Sequence, residues 1–254
     1  MGKAAVVLVC LTYLLVACAE GGAPQRAGAS PTPAASDAPS PSPPSPGPAP
    51  SPACAPGAPR PGSLSADVDG DGSGDEVTLI APALAGCPYL VVAETASGEL
   101  SGELSSDLAG SAAGLPALNV AADLDRDGDS EVAVDVHAGA STVFLAVFDA
   151  AAGGLIRVRA AGGLGRGELF AYGGSVGHLD GIDCASEQSP AAGTVVMSSA
   201  LAAGEGYVVR RSFYELVDGV LEHRPELRER LDVEPEDLGQ FAELGSAPFS
   251  SCPS

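Results

Sequence analysis

Ten oxygen-bearing side chains fall into two short stretches. In the first, Asp67, Asp69 and Asp71 alternate, Gly72 and Ser73 follow, and Asp75 closes the run. In the second, Asp123, Asp125 and Asp127 alternate, followed by Gly128, Asp129 and Glu131. Counting each leading aspartate as one, both copies place carboxylates at one, three, five and nine, and glycine at six. Calcium is a hard cation that takes six to eight oxygens, and alternate spacing lets a tightly coiled loop aim its carboxylates at one centre. Ser73 and Asp129, at seven, would each supply a backbone carbonyl. Without a cation the carboxylates would repel one another in a small volume. The simpler account is two solvated Asp-Gly turns, a common turn type. Two loops matched position for position favour the ion.

The loops are not EF-hands. That loop needs a bidentate Glu at position twelve entering a helix. Here position twelve is Thr78 or Val134, each inside a strand pattern. A DxDxDG loop followed by a strand resembles instead the FG-GAP and VCBS-type repeats of integrin-like β-propellers. The resemblance spans about residues 63 to 215. It implies that the loop joins two strands of a blade. It also implies calcium held by the carboxylates at one, three, five and nine and the carbonyl at seven, which are the residues named above. Asp67 and Asp123 begin the two copies, 56 residues apart, and the strand after the second loop is read one residue sooner. A faded third copy runs from "GHLDGIDCASE" to "TVVMSS", keeping Asp180 and Asp183 but losing the alternate carboxylates. A period near 50 with a strand-rich unit is a propeller signature. No Phe-Gly…Gly-Ala-Pro element is present, and two or three blades are fewer than the four to eight of a regular propeller. The expected fold is therefore mainly β, with two clear blades and one degenerate, as a partial or irregular propeller.

The elements that must hold these loops read as strands. "EVTLI", "YLVVAE", "EVAVDV", "TVFLAVFD", "LIRVRA", "ELFAY", "TVVMSS" and "YVVRRSFYELVDGVLEHR" alternate apolar and polar residues between glycine-rich turns. Asp218-Gly219 inside the last is a hairpin signal. Only the C-terminal stretch reads helical, with Pro225 opening a short helix through Leu231 and Pro235 a second through Leu244.

The N-terminus reads as a targeting segment, residues 1–17. Lys3 supplies a positive charge, Ala4 to Val16 is an apolar run too short for an ordinary spanning helix, and "LVAC" ends at Cys18. The ending resembles the bacterial lipobox, which implies a diacylglycerol on Cys18 and a chain anchored to the outer face of the cell membrane. Residues 18–62 are rich in Pro, Ser and Ala and should be a disordered, extended tether. At about 3.1 Å per residue it would reach on the order of 100 Å. Residues 63–254 are the expected β domain. Once the signal and the lipidated cysteine are set aside, Cys54, Cys87, Cys184 and Cys252 remain. Four cysteines in an exported chain read as two disulfides with three possible connectivities. Cys54–Cys87 and Cys184–Cys252 are favoured, because each ties a terminal segment to the nearest part of the core. A zinc site would want a CxxC pair or clustered histidines, and neither is present.

The formal charge of −21 argues against nucleic acid and anionic membrane surfaces as partners. "GGSVG", Gly173 to Gly177, matches GxSxG, with Asp218 and His223 following in order. A nucleophile elbow needs a strand before it and a helix after it, and "GHLDGIDC" is a poor helix. His137, His178 and His223 are isolated, and "GGLGRG" lacks the spacing of a nucleotide loop. The sequence thus points to a calcium-stabilised, lipid-anchored binding or scaffolding module, without catalysis, facing an envelope protein or wall polymer. The alternatives are an envelope hydrolase, using Ser175 or a carboxylate pair, and a solute-binding lipoprotein, which would need α/β alternation.

Overall fold

The computed structural model describes residues 54–109, 114–151, 153–161, 169–245 and 247–253. The expected signal segment, Cys18, the first part of the expected tether and the "GGLGRG" stretch lie outside them. The described residues belong to one unit, Pro50–Ser254.

The chain is mainly β. The strands β1 (Pro56–Ala66), β2 (Asp75–Pro82), β3 (Tyr89–Thr95) and β4 (Gly98–Leu104) form an antiparallel sheet in sequence order. The second sheet begins with β5 (Ala117–Ala122), β6 (Glu131–Ala138) and β7 (Thr142–Ala151), again antiparallel neighbours in order. β7 then changes partner along its length. Thr142 to Leu145 pair with β10 (Phe170–Ser175), and Phe148 to Ala151 pair with β8 (Gly154–Arg157). From β10 the sheet continues through β11 (His178–Cys184), β12 (Val195–Ala203), β13 (Gly206–Val217) and β14 (Val220–His223). β9 (Arg159–Ala160) pairs with β14 in parallel, and β15 (Glu229–Val233) pairs with β13. Asp218 and Gly219 turn β13 into β14 with positive φ at both positions, as the two-residue hairpin signal predicts.

Two apolar clusters meet on opposite faces of β6 and β7. Val132, Val134, Val136, Ala146 and Phe148 pack with Val77, Leu79, Val91 and Leu104 of the first sheet. Ala133, Leu145 and Val147 pack on the other side with Phe170, Ile182, Val195, Tyr214 and Leu221. Glu131 to Val134 are buried in succession for this reason, where a half-buried strand would alternate. Gly102 in β4 lets the sheets approach. A Cβ there would lie 2.6 Å from the Leu155 carbonyl oxygen and 2.9 Å from Phe148 Cδ1.

Several sequence expectations change. Pro56 to Gly62, assigned to the tether, belong to β1, whose register slips between Pro56 and Pro59 and between Pro59 and Ser63. β1 is an edge strand, where a missing N–H leaves no ladder bond broken. The helix expected from Pro225 to Leu231 is a 3₁₀ turn, Pro225–Leu227, and Glu229–Val233 is β15. The helix expected from Pro235 to Leu244 is a 3₁₀ turn, Pro235–Gln240, followed by α1 (Ala242–Gly245). The strands β2 and β6 both start at position nine of their loops, so the two copies are in step. Disulfides join Cys54 to Cys87 and Cys184 to Cys252, with Cα atoms 5.7 and 5.0 Å apart.

Candidate metal centre

Both acidic loops connect the first two strands of a meander, β1 to β2 and β5 to β6. Their backbones coil alike. Positions four and six are left-handed in each: Gly70 (φ 69°) and Gly72 (φ 85°) in the first, Arg126 (φ 68°) and Gly128 (φ 103°) in the second. Glycine at six meets that need without strain, and arginine at four does not. The position-nine acid also has the same task in both. Asp75 Oδ2 accepts from the Val68 N–H at 2.9 Å, and Glu131 Oε2 accepts from the Leu124 N–H at 2.6 Å. Each loop is thus closed by a buried carboxylate holding the amide of position two.

The alternating aspartates converge. Asp67, Asp69 and Asp71 bring carboxylate oxygens within 4.8 Å of one another, and Asp123, Asp125 and Asp127 do the same. Part of each set is occupied locally. Asp67 accepts from the N–H groups of Asp71 (3.1 Å) and Gly72 (2.8 Å). Asp125 and Asp127 accept from Asp127 N–H (3.2 Å) and Asp129 N–H (3.1 Å). Asp75 is not in the first group. Ser73 sits on the exposed rim, its N–H donating to Asp71 Oδ1 at 2.8 Å. Such clusters of hard oxygen ligands could hold a metal ion.

A third group was not visible in the sequence. Asp129, Glu131 and Asp149 also bring ligand oxygens within 4.8 Å of one another. Asp129, expected to offer only its carbonyl, contributes its carboxylate. Asp149 comes from the end of β7, one antiparallel step beyond the Val132–Phe148 pair and so across from Glu131. Its only sequence signal is an acid at a strand end, and only the β6–β7 register brings it to the loop.

The electrostatics of the two loops diverge. Hydrogen bonds from the hydroxyls of Thr95 and Ser97 hold Asp69 below the usual carboxylate range. In the second loop burial dominates. It pushes Glu131 up to about 9, Asp129 up to about 7 and Asp149 up to about 6, and it also raises Asp125. Neighbouring carboxylates add to each of these increases, since like charges disfavour ionisation.

The faded third copy has another use. Asp180 and Asp183 lie within β11 rather than in the loop that follows it. Asp183 is buried and holds the C-terminal segment, accepting from Ser250 Oγ (2.9 Å) and Ser251 N–H (2.8 Å) beside the Cys184–Cys252 bridge. Asp180 lies 3.0 Å from His178 Nε2, and both line a cavity of about 750 Å³ with Arg210 and Arg228. Ser175 ends β10 on a tight antiparallel turn, paired with His178. The strand-to-helix connection of a nucleophile elbow is therefore not formed there. His137 is exposed and stacks on Phe144, and His223 packs against Tyr214.

No protein-family model matches the chain, and no curated protein or solved structure matches it significantly.

Proposed function

We propose that the protein is a calcium-stabilised binding or scaffolding module, lipid-anchored through Cys18 to the outer face of the cell membrane, with no catalytic role. The observation that supports the calcium is the pair of convergent aspartate triads at matched loop positions, closed by matched buried acids. Calcium suits an all-oxygen, carboxylate-rich set better than zinc or copper, which prefer nitrogen and sulfur. The relation of the meanders supports an FG-GAP or VCBS-like arrangement: β1 packs against β5 and β4 against β8, with the acidic loops at the same connection. The disulfides suit an oxidising location. A proline-rich tether would hold the domain clear of the membrane, where an envelope protein or wall polymer could reach it.

Two measurements test this proposal. Calorimetric titration of the chelated protein should show calcium binding that Asp69→Ala and Asp125→Ala each reduce. Membrane fractionation should find the protein with the membrane, and Cys18→Ala should release it. Absence of calcium binding would remove the first half of the proposal, and a Cys18→Ala protein still on the membrane would remove the second. The partner would then be sought by capture from solubilised envelope, with calcium and with chelator.

A further inference from the structure

The second acidic loop carries more charge than one calcium ion explains. With Asp149, six carboxylates gather there, against four in the first loop. They fall into two adjoining groups of three, Asp123 with Asp125 and Asp127, and Asp129 with Glu131 and Asp149, which meet where Asp127 and Asp129 lie side by side. Calcium–oxygen bonds are about 2.3–2.6 Å, so two ligands of one ion lie at most about 5 Å apart. Each triad satisfies that limit, with its ligand atoms within 4.8 Å of one another.

A buried, unpartnered oxygen points to a ligand at the second triad. The Glu131 side chain is almost fully enclosed, its residue only 2 % exposed. Its Oε2 is used by the Leu124 N–H, while Oε1 has no hydrogen-bond partner among the described residues. Asp129 is half-buried, and its Oδ1 is an enclosed atom without a hydrogen-bond partner among the described residues. Leaving such oxygens empty-handed away from water is costly. A cation seated among them satisfies both.

The first loop also has an enclosed, unpartnered oxygen, Asp69 Oδ1, but it lies within that loop's aspartate triad and no second acidic group adjoins it among the described residues. Thr95 occupies its slot corresponding to Asp149, one antiparallel step beyond the Glu76–Glu94 pair. There the hydroxyls of Thr95 and Ser97 bond to one another, and Ser97 Oγ donates to Asp69 Oδ2 at 2.9 Å. Position seven is Ser73 rather than an acid. One loop fills the slot with hydroxyl donors, and the other fills it with carboxylates. One divalent ion in the first loop leaves a formal charge of −2 on its four carboxylates. Two ions leave the same residue of charge on the six of the second loop.

We propose that the second loop holds two calcium ions, one at Asp123, Asp125 and Asp127 and one at Asp129, Glu131 and Asp149. This rests on the calcium assignment above and adds a site to it. The protein then binds three ions per chain.

Equilibrium dialysis of the intact, oxidised protein against calcium counts them directly. Three ions per chain at saturation are expected, falling to two in Asp149→Asn while circular dichroism stays that of a folded β protein. The Asp149→Asn protein should lose a further ion when Asp69→Ala is added, because that residue belongs to the other loop. Two ions in the unaltered protein would overturn the second centre and leave the calcium assignment standing. No bound calcium would overturn both. Three ions that Asp149→Asn does not reduce would place the third elsewhere and overturn this assignment.

Discussion

The backbone N–H of Ser130 donates to the carbonyl oxygen of Asp67 at 2.7 Å, joining the two acidic loops through their main chains. Gly70 lies against Asp129 on the same side, where an added Cβ would stand 3.6 Å from the Asp129 Cβ. The loops belong to different sheets, so this bond ties the first meander to the second at the end where the carboxylates gather. The two loops therefore share a main-chain hydrogen bond through which opening of one would bear on the other.

Amide exchange follows from that link. In calcium, the Ser130 N–H should exchange slowly, because its acceptor is held by the first loop. Asp69→Ala weakens only the first loop's ligand set, yet it should speed exchange at Ser130 by about tenfold or more, since local opening there becomes easier. NMR of labelled protein reads this residue by residue. Unchanged exchange at Ser130, alongside loss of calcium from the first loop, would show the loops to be independent.

In the chelated protein the second loop contributes the largest resolved carboxylate shifts to the pH dependence. Glu131, Asp129 and Asp149 have folded values of about 9, about 7 and about 6, all above their ordinary values. A raised carboxyl makes the folded state hold its proton longer than the unfolded chain does. From about pH 4 upward the unfolded state releases protons first, so stability falls as pH rises, until the folded groups also ionise near pH 9. The chelated protein should melt higher at pH 5 than at pH 8. Calcium should reverse this trend, because ligands must be deprotonated to bind. Equal melting at both pH values in chelator would contradict the burial of these carboxylates.

Arg126 is strained where its counterpart Gly70 is not. A non-glycine residue in the left-handed region costs roughly 1 kcal/mol. The Arg126 guanidinium reaches Glu187 at 3.8 Å, but Glu187 is largely exposed, and such pairs contribute little. Arg126→Gly should therefore stabilise the protein or leave it unchanged, by about 0–1 kcal/mol in a denaturant titration. Calcium affinity should be kept. A loss of more than about 1 kcal/mol would mean that the side chain contributes packing beyond that pair.

The C-terminal segment is held twice, by a disulfide and by Asp183. Cys252→Ser opens a closed loop of 68 residues and should cost about 2–4 kcal/mol. Asp183→Ala removes the acceptor of the Ser251 N–H and one contact of the Ser250 hydroxyl, and should cost about 1–3 kcal/mol. The two act on one segment, so the double variant should fall short of or exceed the sum. Simple additivity would mean that Asp183 does not act through the tail.

The acidic loops and the disulfide pairing were legible because both are local or nearly so. A loop announces its turns by Asp and Gly spacing, and each cysteine had one near candidate at its own end of the domain. β1 was hidden because proline normally excludes a strand, and only its place at the sheet edge permits it. β15 was hidden because Pro225 reads as a helix opening, while pairing with Tyr207 to Arg211 of β13 overrides that local preference. Asp149 could not be placed without the β6–β7 register, which the sequence leaves open. Asp183 looked like a remnant of a metal loop, whereas its partner is a segment 67 residues onward.

The most direct test is a melting curve of the intact, oxidised protein in millimolar calcium and in chelator. Extracellular calcium sites of about 10⁻⁴ M affinity contribute roughly 1 kcal/mol each at that concentration. For a domain of this size the midpoint should rise by about 5–10 °C. Asp69→Ala and Asp125→Ala should each remove part of the rise. A midpoint that calcium does not move would make the loops plain acidic turns and contradict the account.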